Sequence, residues 1–294
     1  MTERRRLVTA PATSANLGSG FDVLAAALEL HLELEVTETG EFSVDPGDDS
    51  LPVDRSNLCV RAFEALHPAD GLRFQVRSQI PLARGLGSSA AAIVAGLMAA
   101  DHLYELGLGR EQIYREAVAI EGHPDNVGAA IFGGFVVCPR PDDEAFPVPV
   151  RIEPPGGVEA VLVIPRDEVP TSEARAALPG QVSFGDAVLN VAAAAQLVLG
   201  LERADLTLIS RGLADRLHQP HRAHLYERSM ALVAEAVDLG ALGATISGAG
   251  PTVLLWSYWQ DTGKVVGAVA ERVAEWADVQ RVPFSPLGAD VPEL

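Results

Sequence analysis

The chain has 294 residues, 48% hydrophobic and 21% charged, which is enough for one large domain or two ordinary ones with a sizeable buried core. Its 22 basic and 40 acidic side chains give a net charge of −18, and this excess of acid argues against an extended nucleic-acid interface, which needs a basic face. A nucleotide is not excluded, because backbone N–H groups in a local nest can bind phosphate.

The first half of the chain mixes predicted strands with predicted helices. Apolar and polar side chains alternate over residues 28–36, which is the period of a half-buried strand. Residues 89–106 are almost continuously small or apolar, which indicates a helix buried on most sides, and Gly107 provides a stop signal. In chain order, we predict strands at 7–10, 28–36 and 72–77, helices at 55–66, 89–106 and 111–120, a loop at 121–126 and a strand at 135–138.

The clearest breaks in the chain are the proline-punctuated residues 139–144 and the Pro-Pro-Gly-Gly stretch within 153–157. We therefore expect a boundary near residue 150, with domains at 1–150 and 151–294. Strands and helices follow no regular βαβ rhythm, which favours a two-domain α+β protein over a Rossmann sheet. In the second domain we predict strands at 160–164 and 252–256 and helices at 186–201, 206–217, 227–239 and 263–277.

The cysteines and the apolar stretches indicate in which cellular compartment the protein is expected. Cys59 and Cys138 lack the spacing of a zinc site, and two lone thiols in a chain of this length indicate a reducing compartment. The arginines at 4–6 precede no apolar stretch long enough for a signal peptide, and the longest apolar stretch, 90–100, is too short to span a bilayer. We expect a soluble, cytoplasmic protein with neither a membrane nor a nucleic-acid partner.

A glycine-rich loop, residues 81–90 (PLARGLGSSA), stands between a predicted strand and a predicted helix. Its glycines let the backbone approach a ligand closely, and Ser88 or Ser89 is expected to cap the helix, whose first N–H groups would face an anion. The loop lacks the Gly-Lys-Ser/Thr ending of the Walker motif and differs from the dinucleotide fingerprint. A tight turn capped by serine is the alternative interpretation.

The same loop resembles the central motif of the GHMP kinases, a superfamily of ATP-dependent small-molecule kinases. Residues 11–22 (PATSANLGSGFD) resemble its N-terminal motif and residues 245–252 (TISGAGPT) its C-terminal motif, so the resemblance spans nearly the whole chain. It implies a two-domain GHMP kinase fold, with an N-terminal ribosomal-S5-like, ATP-binding domain and a C-terminal ferredoxin-like α/β sandwich domain. The residues it implies for ATP are Pro81, Arg84, Gly85, Leu86, Gly87, Ser88, Ser89 and Ala90.

Four local signatures are most similar to the homoserine kinase branch of that superfamily. They are residues 16–22 (NLGSGFD), 121–127 (EGHPDNV), 171–179 (TSEARAALP) and 216–222 (RLHQPHR). The resemblance implies that ATP phosphorylates the hydroxyl group of L-homoserine, a step of threonine biosynthesis, with Mg²⁺ as cofactor. It also implies a homodimer.

The polar residues of these signatures suit a zwitterionic substrate. The carboxylate of homoserine needs arginine, and Arg175 and Arg222 stand at the matching positions. Its ammonium and hydroxyl groups need acceptors, which Asn16, Asp22 and Asn126 can supply. Taken singly, the arginines also fit surface positions, and Asn16 and Asp22 also fit turns. From the second domain, the loop containing Ser247, Gly248 and Gly250 is expected to approach the substrate.

Ser88, Glu121 and Asn126 are the candidate catalytic residues. Ser88 and Glu121 form an oxygen pair of the kind that Mg²⁺ accepts while it retains several waters, although Glu121 also fits an exposed helix end. Asn126 stands where several relatives have an aspartate base, and asparagine cannot take a proton. We therefore expect catalysis without a dedicated strong base, which a loose transition state allows.

Three titratable neighbours are given no catalytic role. Asp125 adjoins Asn126, and adjacent side chains usually point apart. His123 is expected to stabilise its loop, and His218 to support the turn that carries Arg222.

Two rival functions remain open. Another GHMP kinase of the mevalonate or shikimate type is one, although a mevalonate-type enzyme is expected to carry aspartate in place of Asn126. A catalytically silent binding protein on the same scaffold is the other, although the Gly-Leu-Gly-Ser-Ser core and Glu121 are intact.

Overall fold

The structure is a computed structural model that describes residues 4–139 and 148–292. Most of the predicted break at 139–144 lies outside the described residues. Within the described parts the chain forms two sheets with helices packed on them, and the predicted α+β class is confirmed.

The first sheet is organised around one long strand, β2. Its Leu32–Glu38 segment pairs with β4, its Leu24–Ala26 segment pairs with β5, and almost its whole length pairs with β1. The alternating residues of β2 put leucine on the core face and glutamate toward solvent, which is why the pattern could be read from the sequence. The six strands are β1 (Arg5–Ala15), β2 (Leu24–Glu38), β3 (Ser43–Asp45), β4 (Leu72–Ser78), β5 (Phe135–Val137) and β6 (Val150–Ile152).

Four helices cover this sheet. Helix α2 is buried at nearly every position from Ala90 to Leu103, as its small and apolar sequence predicts. Gly96 lets α2 lie close to α1, because a side chain there would overlap the Cys59 carbonyl oxygen. The helices are α1 (Leu58–Glu64), α2 (Ser88–Tyr104), α3 (Gly109–Glu121) and α4 (Pro124–Phe132).

The predicted loop at 121–126 is wrong at its end. Helix α4 already begins at Pro124, where the missing N–H and fixed φ of proline suit the first helical position. His123 is the extended residue before the helix, and Asp125 and Asn126 lie in the first turn. This short helix was missed because its first turn is polar and its one glycine and two alanines show no clear apolar stripe.

The second sheet is antiparallel throughout, with strand order β10-β7-β9-β8. Its strands are β7 (Val158–Pro165), β8 (Gly243–Ile246), β9 (Val253–Tyr258) and β10 (Ala277–Val282).

Two helices of the second half are shorter than predicted. The predicted helix at 206–217 ends at Gly212, and the predicted helix at 263–277 ends at Val273, before β10 starts. The helices of this half are α5 (Thr171–Ala176), α6 (Phe184–Arg203), α7 (Leu206–Gly212), α8 (Gln219–Arg222), α9 (Glu227–Glu235) and α10 (Thr262–Val273), and a 3₁₀ turn spans Ala223–Leu225.

The two sheets share part of one core. Phe135 of the first sheet stacks on Trp256 of the second with ring centroids 5.7 Å apart, and Phe284 contacts both rings at 4.7 and 5.2 Å. After β10 the chain returns to the first sheet, where Asp290 bridges to Thr9. The boundary near residue 150 stays a prediction.

Candidate active site

A cleft that is open to solvent lies where the three glycine-containing motifs meet. The end of β1 holds them together, because the Thr13 N–H donates to the Leu86 carbonyl and the Ala15 carbonyl accepts from the Gly248 N–H. The cleft is lined by Asn16, Phe21, Asp22, Ala83, Gly85, Leu86, Gly87, Ser88, Ser89, Glu121, His123, Asp125, Asn126, Val169, Thr171, Arg175, Arg222, Gly248 and Ala249.

The phosphate-loop end of the cleft is an uncapped helix terminus. Gly87 is the N-cap of α2 with φ +70°, and no side chain caps the helix. The expected serine cap is therefore wrong, and the hydroxyl of Ser89 donates to Glu121 instead. The first N–H groups of α2 and the positive end of its dipole are left facing the cleft, which is the arrangement that binds phosphate.

Two glycines of this loop have no room for a side chain. A Cβ on Gly87 would overlap the Thr13 hydroxyl, and a Cβ on Gly85 would overlap the Ser247 carbonyl oxygen. Both residues have φ near +70°, a left-handed conformation that favours glycine. The loop is thus packed against β1 on one side and against the second-sheet loop on the other.

Three residues predicted for ATP do not line the cleft. Ala90 is buried within α2, and Pro81 precedes the lining segment. Arg84 turns to the second half of the chain, where its guanidinium donates to the carbonyl oxygens of Pro165 at 2.8 Å and Arg166 at 2.6 Å. Arg84 thereby ties the phosphate loop to the second sheet.

Glu121, the last residue of α3, points into the cleft. Its Oε2 accepts a 2.6 Å hydrogen bond from the hydroxyl of Ser89. Burial raises the pKa of the Glu121 carboxyl, and the bond from Ser89 partly offsets that effect. Within residues 4–139 and 148–292, no lysine or arginine lies at ion-pair distance from Glu121.

These oxygens have the chemistry of a magnesium site. A desolvated carboxylate gains by facing a cation. The Ser89 hydroxyl contacts this carboxylate, and Ser88 lines the same cleft. Among the described residues, no group of three acidic, histidine or cysteine side chains could hold a metal by itself. Mg²⁺ commonly takes one or two carboxylates and completes its coordination with phosphate oxygens and water.

Asn126 is held from two sides. The Thr13 hydroxyl donates to its Oδ1 at 2.7 Å, and its own N–H and Nδ2 donate to Asp125 Oδ1 at 2.7 and 3.3 Å. Asp125 is buried and also lines the cleft, because both residues lie in the first turn of α4 rather than in an extended loop. Burial raises the pKa of Asp125 to about 7, and the hydrogen bond from Asn126 acts in the opposite direction.

At the opposite end of the cleft, two arginines surround Phe21. Arg175 pairs with Asp22 through two hydrogen bonds of 2.7 and 3.1 Å. Arg222 is almost fully buried, and its Nε donates to the Ala174 carbonyl at 2.8 Å. Both guanidinium groups lie over the Phe21 ring, 5.6 and 5.3 Å from its centroid. The α5 and α8 segments thus bring positive charge to one aromatic surface.

Asn16 and Asp22 shape the loop between β1 and β2. Both adopt positive φ, at 70° and 57°. Asn16 uses its side chain within the protein, because Nδ2 donates to the Gly248 carbonyl at 2.7 Å and Oδ1 accepts from the Asp22 N–H at 2.9 Å. The Asp22 carboxylate remains at the cleft, paired with Arg175.

Of the three predicted residues in the second-sheet loop, only Gly248 lines the cleft. Ser247 donates its hydroxyl to the Gly85 carbonyl at 2.6 Å, and Gly250 packs on the Tyr226 ring. Ser247 and Gly250 therefore support the phosphate loop from behind.

The two histidines differ in position. His218 is buried, with Nε2 2.8 Å from the Gly18 carbonyl and Nδ1 3.3 Å from Arg222 Nη1, and burial lowers its pKa. This contact agrees with the expected support of Arg222. His123 instead lines the cleft. Burial is the main cause that lowers its pKa, and the positive charge of Arg175 lowers it further.

Several lining residues were not anticipated from the sequence. All but one of them stand inside motifs that the sequence had already singled out; they are Phe21, Ala83, His123, Asp125, Thr171 and Ala249. Val169 lies outside every motif and gave no sequence signal of its own.

Comparison with known proteins gives consistent results along the whole chain. The family described as GHMP kinases N terminal domain matches residues 57–134, and the family described as GHMP kinases C terminal matches residues 197–278. The chain is similar to the homoserine kinase of Thermus thermophilus, with 42% identity over 268 residues, 88% of this chain and 89% of the relative.

Solved structures agree. A homoserine kinase from Cytophaga hutchinsonii superposes with a TM-score of 0.87 at 30% identity, covering 99% of this chain and 98% of the other. A mevalonate diphosphate decarboxylase from Staphylococcus aureus has a TM-score of 0.72 at 14% identity and covers 99% of both chains. The latter likeness shows a shared fold alone.

Proposed function

Because the chain belongs to the homoserine kinase family, a branch of the GHMP kinases, we propose that it transfers the γ-phosphoryl group of ATP to the hydroxyl group of L-homoserine. The products are ADP and O-phospho-L-homoserine, an intermediate of threonine biosynthesis. One observation carries the assignment of the substrate. The cleft has an uncapped helix terminus at one end and the Asp22–Arg175 pair with Arg222 at the other.

ATP is bound at the phosphate-loop end. The backbone N–H groups of residues 85–89 hold its phosphates, and the dipole of α2 favours their negative charge. Glycine at 85 and 87 is needed for this backbone path, since a side chain at either position would overlap a neighbouring oxygen. Positioning and charge neutralisation supply most of the catalysis in phosphoryl transfer.

Ser88 and Glu121 would hold Mg²⁺, and the Ser89 hydroxyl orients the Glu121 carboxylate. When bound there, the ion would supply neutralisation of negative charge on the phosphate oxygens. The protein contributes the desolvated carboxylate and fixes its direction.

L-Homoserine lies at the arginine end. The Asp22–Arg175 pair presents a negative and a positive charge side by side, which matches the ammonium and carboxylate groups on the α-carbon of an amino acid. Arg222 adds a second positive charge behind Phe21. The substrate hydroxyl then points to Asn126, between the two ends.

Asn126 orients the hydroxyl group of the substrate and takes no proton from it. The Thr13 hydroxyl donates to Asn126 Oδ1, so the Asn126 amide has a fixed orientation. A loose transition state requires little deprotonation of the attacking hydroxyl before the phosphoryl group departs from ADP. The reaction proceeds without a dedicated strong base.

The experiment is a coupled ADP-release assay with Mg-ATP against L-homoserine, mevalonate, shikimate and galactose. We expect turnover of L-homoserine far above that of the other three. Turnover of mevalonate or shikimate without turnover of L-homoserine would refute the substrate assignment. If none of the four is turned over while ATP raises the melting temperature, the chain is a binding protein on the same scaffold.

We also propose a cytoplasmic homodimer without nucleic-acid or membrane partners. The net charge of −18 disfavours nucleic acid and anionic lipid surfaces alike, and the two cysteines are free and buried. Analytical ultracentrifugation of the purified chain tests the dimer.

A further inference from the structure

Arg84 belongs to the phosphate loop but lies behind the cleft, and its side chain is only 15% exposed. Its Nε and Nη2 donate to two consecutive carbonyl oxygens, those of Pro165 at 2.8 Å and Arg166 at 2.6 Å. Its Nη1 donates to the Leu82 carbonyl of its own loop at 3.2 Å and pairs with Glu168 at 3.0 Å. Every nitrogen of the guanidinium is therefore engaged, on one side by the phosphate loop and on the other by the point where β7 ends.

The two carbonyl oxygens that Arg84 holds begin the segment that leads to the arginine end of the cleft. We call residues 165–175 the arginine segment, because Arg175 is its last residue. Thr171 of this segment lines the cleft, and Arg175 pairs with Asp22 through two hydrogen bonds of 2.7 and 3.1 Å. One end of the arginine segment is thus fixed to the phosphate loop, and the other end is fixed to the loop between β1 and β2.

The conformation of the phosphate loop makes this contact sensitive to a ligand. Ala83, next to Arg84, has φ +53°, a left-handed conformation that is unfavourable for alanine. Contacts elsewhere must hold the loop in this shape, and phosphate oxygens bound by the N–H groups of residues 85–89 would add such contacts. A nucleotide that stabilises the loop therefore also stabilises the position of the Arg84 guanidinium, and with it the start of the arginine segment.

We infer that Arg84 is a positioning residue that couples the two ends of the cleft, so that a nucleotide at the phosphate loop orders the arginine segment and strengthens the binding of L-homoserine. The inference rests on the proposed function and deepens it, because it names the contact that links the two substrate sites. Coupling between two ligands is commonly about 5- to 150-fold in affinity, and it is the same in both directions.

Two other contacts hold the phosphate loop independently of Arg84. The Ser247 hydroxyl donates to the Gly85 carbonyl at 2.6 Å, and the Thr13 N–H donates to the Leu86 carbonyl at 3.1 Å. Both contacts lie outside the arginine segment. Loss of the Arg84 guanidinium should therefore break the coupling and leave nucleotide binding in place, which distinguishes a positioning role from a general structural one.

The first experiment measures amide hydrogen exchange by mass spectrometry in the wild type and in Arg84→Gln, with and without Mg²⁺ and the non-hydrolysable ATP analogue AMP-PNP. In the wild type we expect the analogue to slow exchange in the phosphate loop and in the arginine segment. In Arg84→Gln we expect slower exchange in the phosphate loop alone.

The possible outcomes of the exchange experiment are distinct. Protection of the phosphate loop without protection of the arginine segment in the wild type would overturn the inference, and so would equal protection of that segment in Arg84→Gln. A wild-type phosphate loop that gains no protection would refute the proposed nucleotide site, and the inference would fall with it.

Arg166→Gln is the matched control. The Arg166 guanidinium donates to the carbonyl oxygens of Glu275 at 2.9 Å and Ala274 at 3.4 Å, so it holds the same segment to the turn before β10 and not to the phosphate loop. Arg166→Gln should keep the protection of the arginine segment that AMP-PNP confers. If Arg166→Gln loses this protection as Arg84→Gln does, any loosening of the segment suffices and the assignment to Arg84 is wrong.

The second experiment measures the Kd of L-homoserine by isothermal titration calorimetry, alone and with saturating Mg²⁺ and AMP-PNP. The analogue should lower the wild-type Kd by at least about 5-fold, and it should leave the Kd of Arg84→Gln nearly unchanged. Arg84→Lys keeps the charge but lacks the planar fork that holds two carbonyl oxygens, so it should lose most of the coupling and serves if Arg84→Gln does not fold. Wild-type coupling in either folded variant would overturn the inference.

Failure to bind L-homoserine in the wild type would count against the proposed substrate alone. The exchange experiment needs no L-homoserine, so it would still decide whether Arg84 connects the nucleotide end to the arginine segment.

Discussion

At one end of the cleft the proposed binding groups are backbone N–H groups of residues 85–89, which are neighbours in the chain. At the other end they are the side chains of Asp22, Arg175 and Arg222. Asp22 and Arg175 are 153 positions apart and meet only through folding. The first end depends on the absence of side chains, and the second on the charge of side chains that are present. Substitutions should therefore affect the two ends in different ways.

The largest effect is expected for Gly87→Ala. The new Cβ would overlap the Thr13 hydroxyl and displace the loop that we propose to hold the phosphates. A displacement of about 1 Å in a positioned site can cost on the order of 100-fold, so we expect kcat/KM to fall about 100-fold. Steady-state kinetics with ATP as the varied substrate measures the change.

Gly107→Ala is the matched control for Gly87→Ala. Gly107 has nearly the same φ, +71°, but open space where its Cβ would be. It should lose about 1 kcal/mol of stability from the left-handed conformation and keep wild-type kinetics. Equal kinetic losses in both variants would mean that backbone strain, not overlap with Thr13, is responsible.

An intermediate effect is expected for Arg175→Gln at the other end. Loss of the guanidinium removes a charge-assisted contact worth about 1.5–3 kcal/mol, so KM for L-homoserine should rise about 10- to 100-fold while KM for ATP stays near its wild-type value. Arg272→Gln, which breaks the exposed Arg272–Glu235 pair far from the cleft, is the control. A parallel rise of both KM values would assign Arg175 a structural role.

Arg222 is a less suitable position for the same test. Its Nε holds the Ala174 carbonyl, and its side chain is almost fully buried. Arg222→Leu would leave that carbonyl unpaired and disturb α5, so an effect on KM would mix binding with packing. The exposed edge of Arg175 avoids this ambiguity.

The third effect is expected between the two ends, for Asp125→Asn, and it concerns the pH dependence of stability rather than the kinetic constants. In the unfolded chain this aspartate releases its proton near pH 4, whereas burial raises the folded pKa to about 7. Between these values the folded state holds a proton that the unfolded state has lost, so wild-type stability falls as pH rises from 4 to above 7. Because asparagine does not titrate, the Asp125→Asn variant does not lose this stability as the pH rises.

Thermal unfolding from pH 4 to pH 8 measures the difference. Asp125→Asn should gain on the wild type by on the order of 4 kcal/mol across this range, because each unit of pKa difference corresponds to about 1.4 kcal/mol. Asp49→Asn, at an exposed position, should show no such pH-dependent gain. A pH-independent difference for Asp125→Asn would mean that the buried carboxyl is ionised throughout.

Much of the fold and of the phosphate end could be predicted because the relevant signals are local. The alternation of apolar and polar residues predicted the bounds of β2 and β4 to within a few residues, and the run of small and apolar residues predicted α2. Motif resemblance identified the family and most lining positions. Local signals failed where an element is short, as for α4, or where an acceptor lies elsewhere in the chain, as for Ser89, whose hydroxyl binds Glu121 and leaves the helix uncapped.

By itself, the sequence determined the strand and helix periods, the glycine loop and the residue types that suit ATP and an amino-acid alcohol. Only the tertiary structure decided which partners those side chains contact. Asn16 donates to the Gly248 carbonyl, Asp22 pairs with Arg175, and Arg84 donates to the Pro165 carbonyl of the second sheet. It also revealed that Asp125 is buried at the cleft and that the apolar residues of α6 face solvent. The physical reason is that burial and pairing depend on which distant segments meet, whereas backbone propensity acts between neighbours in the chain.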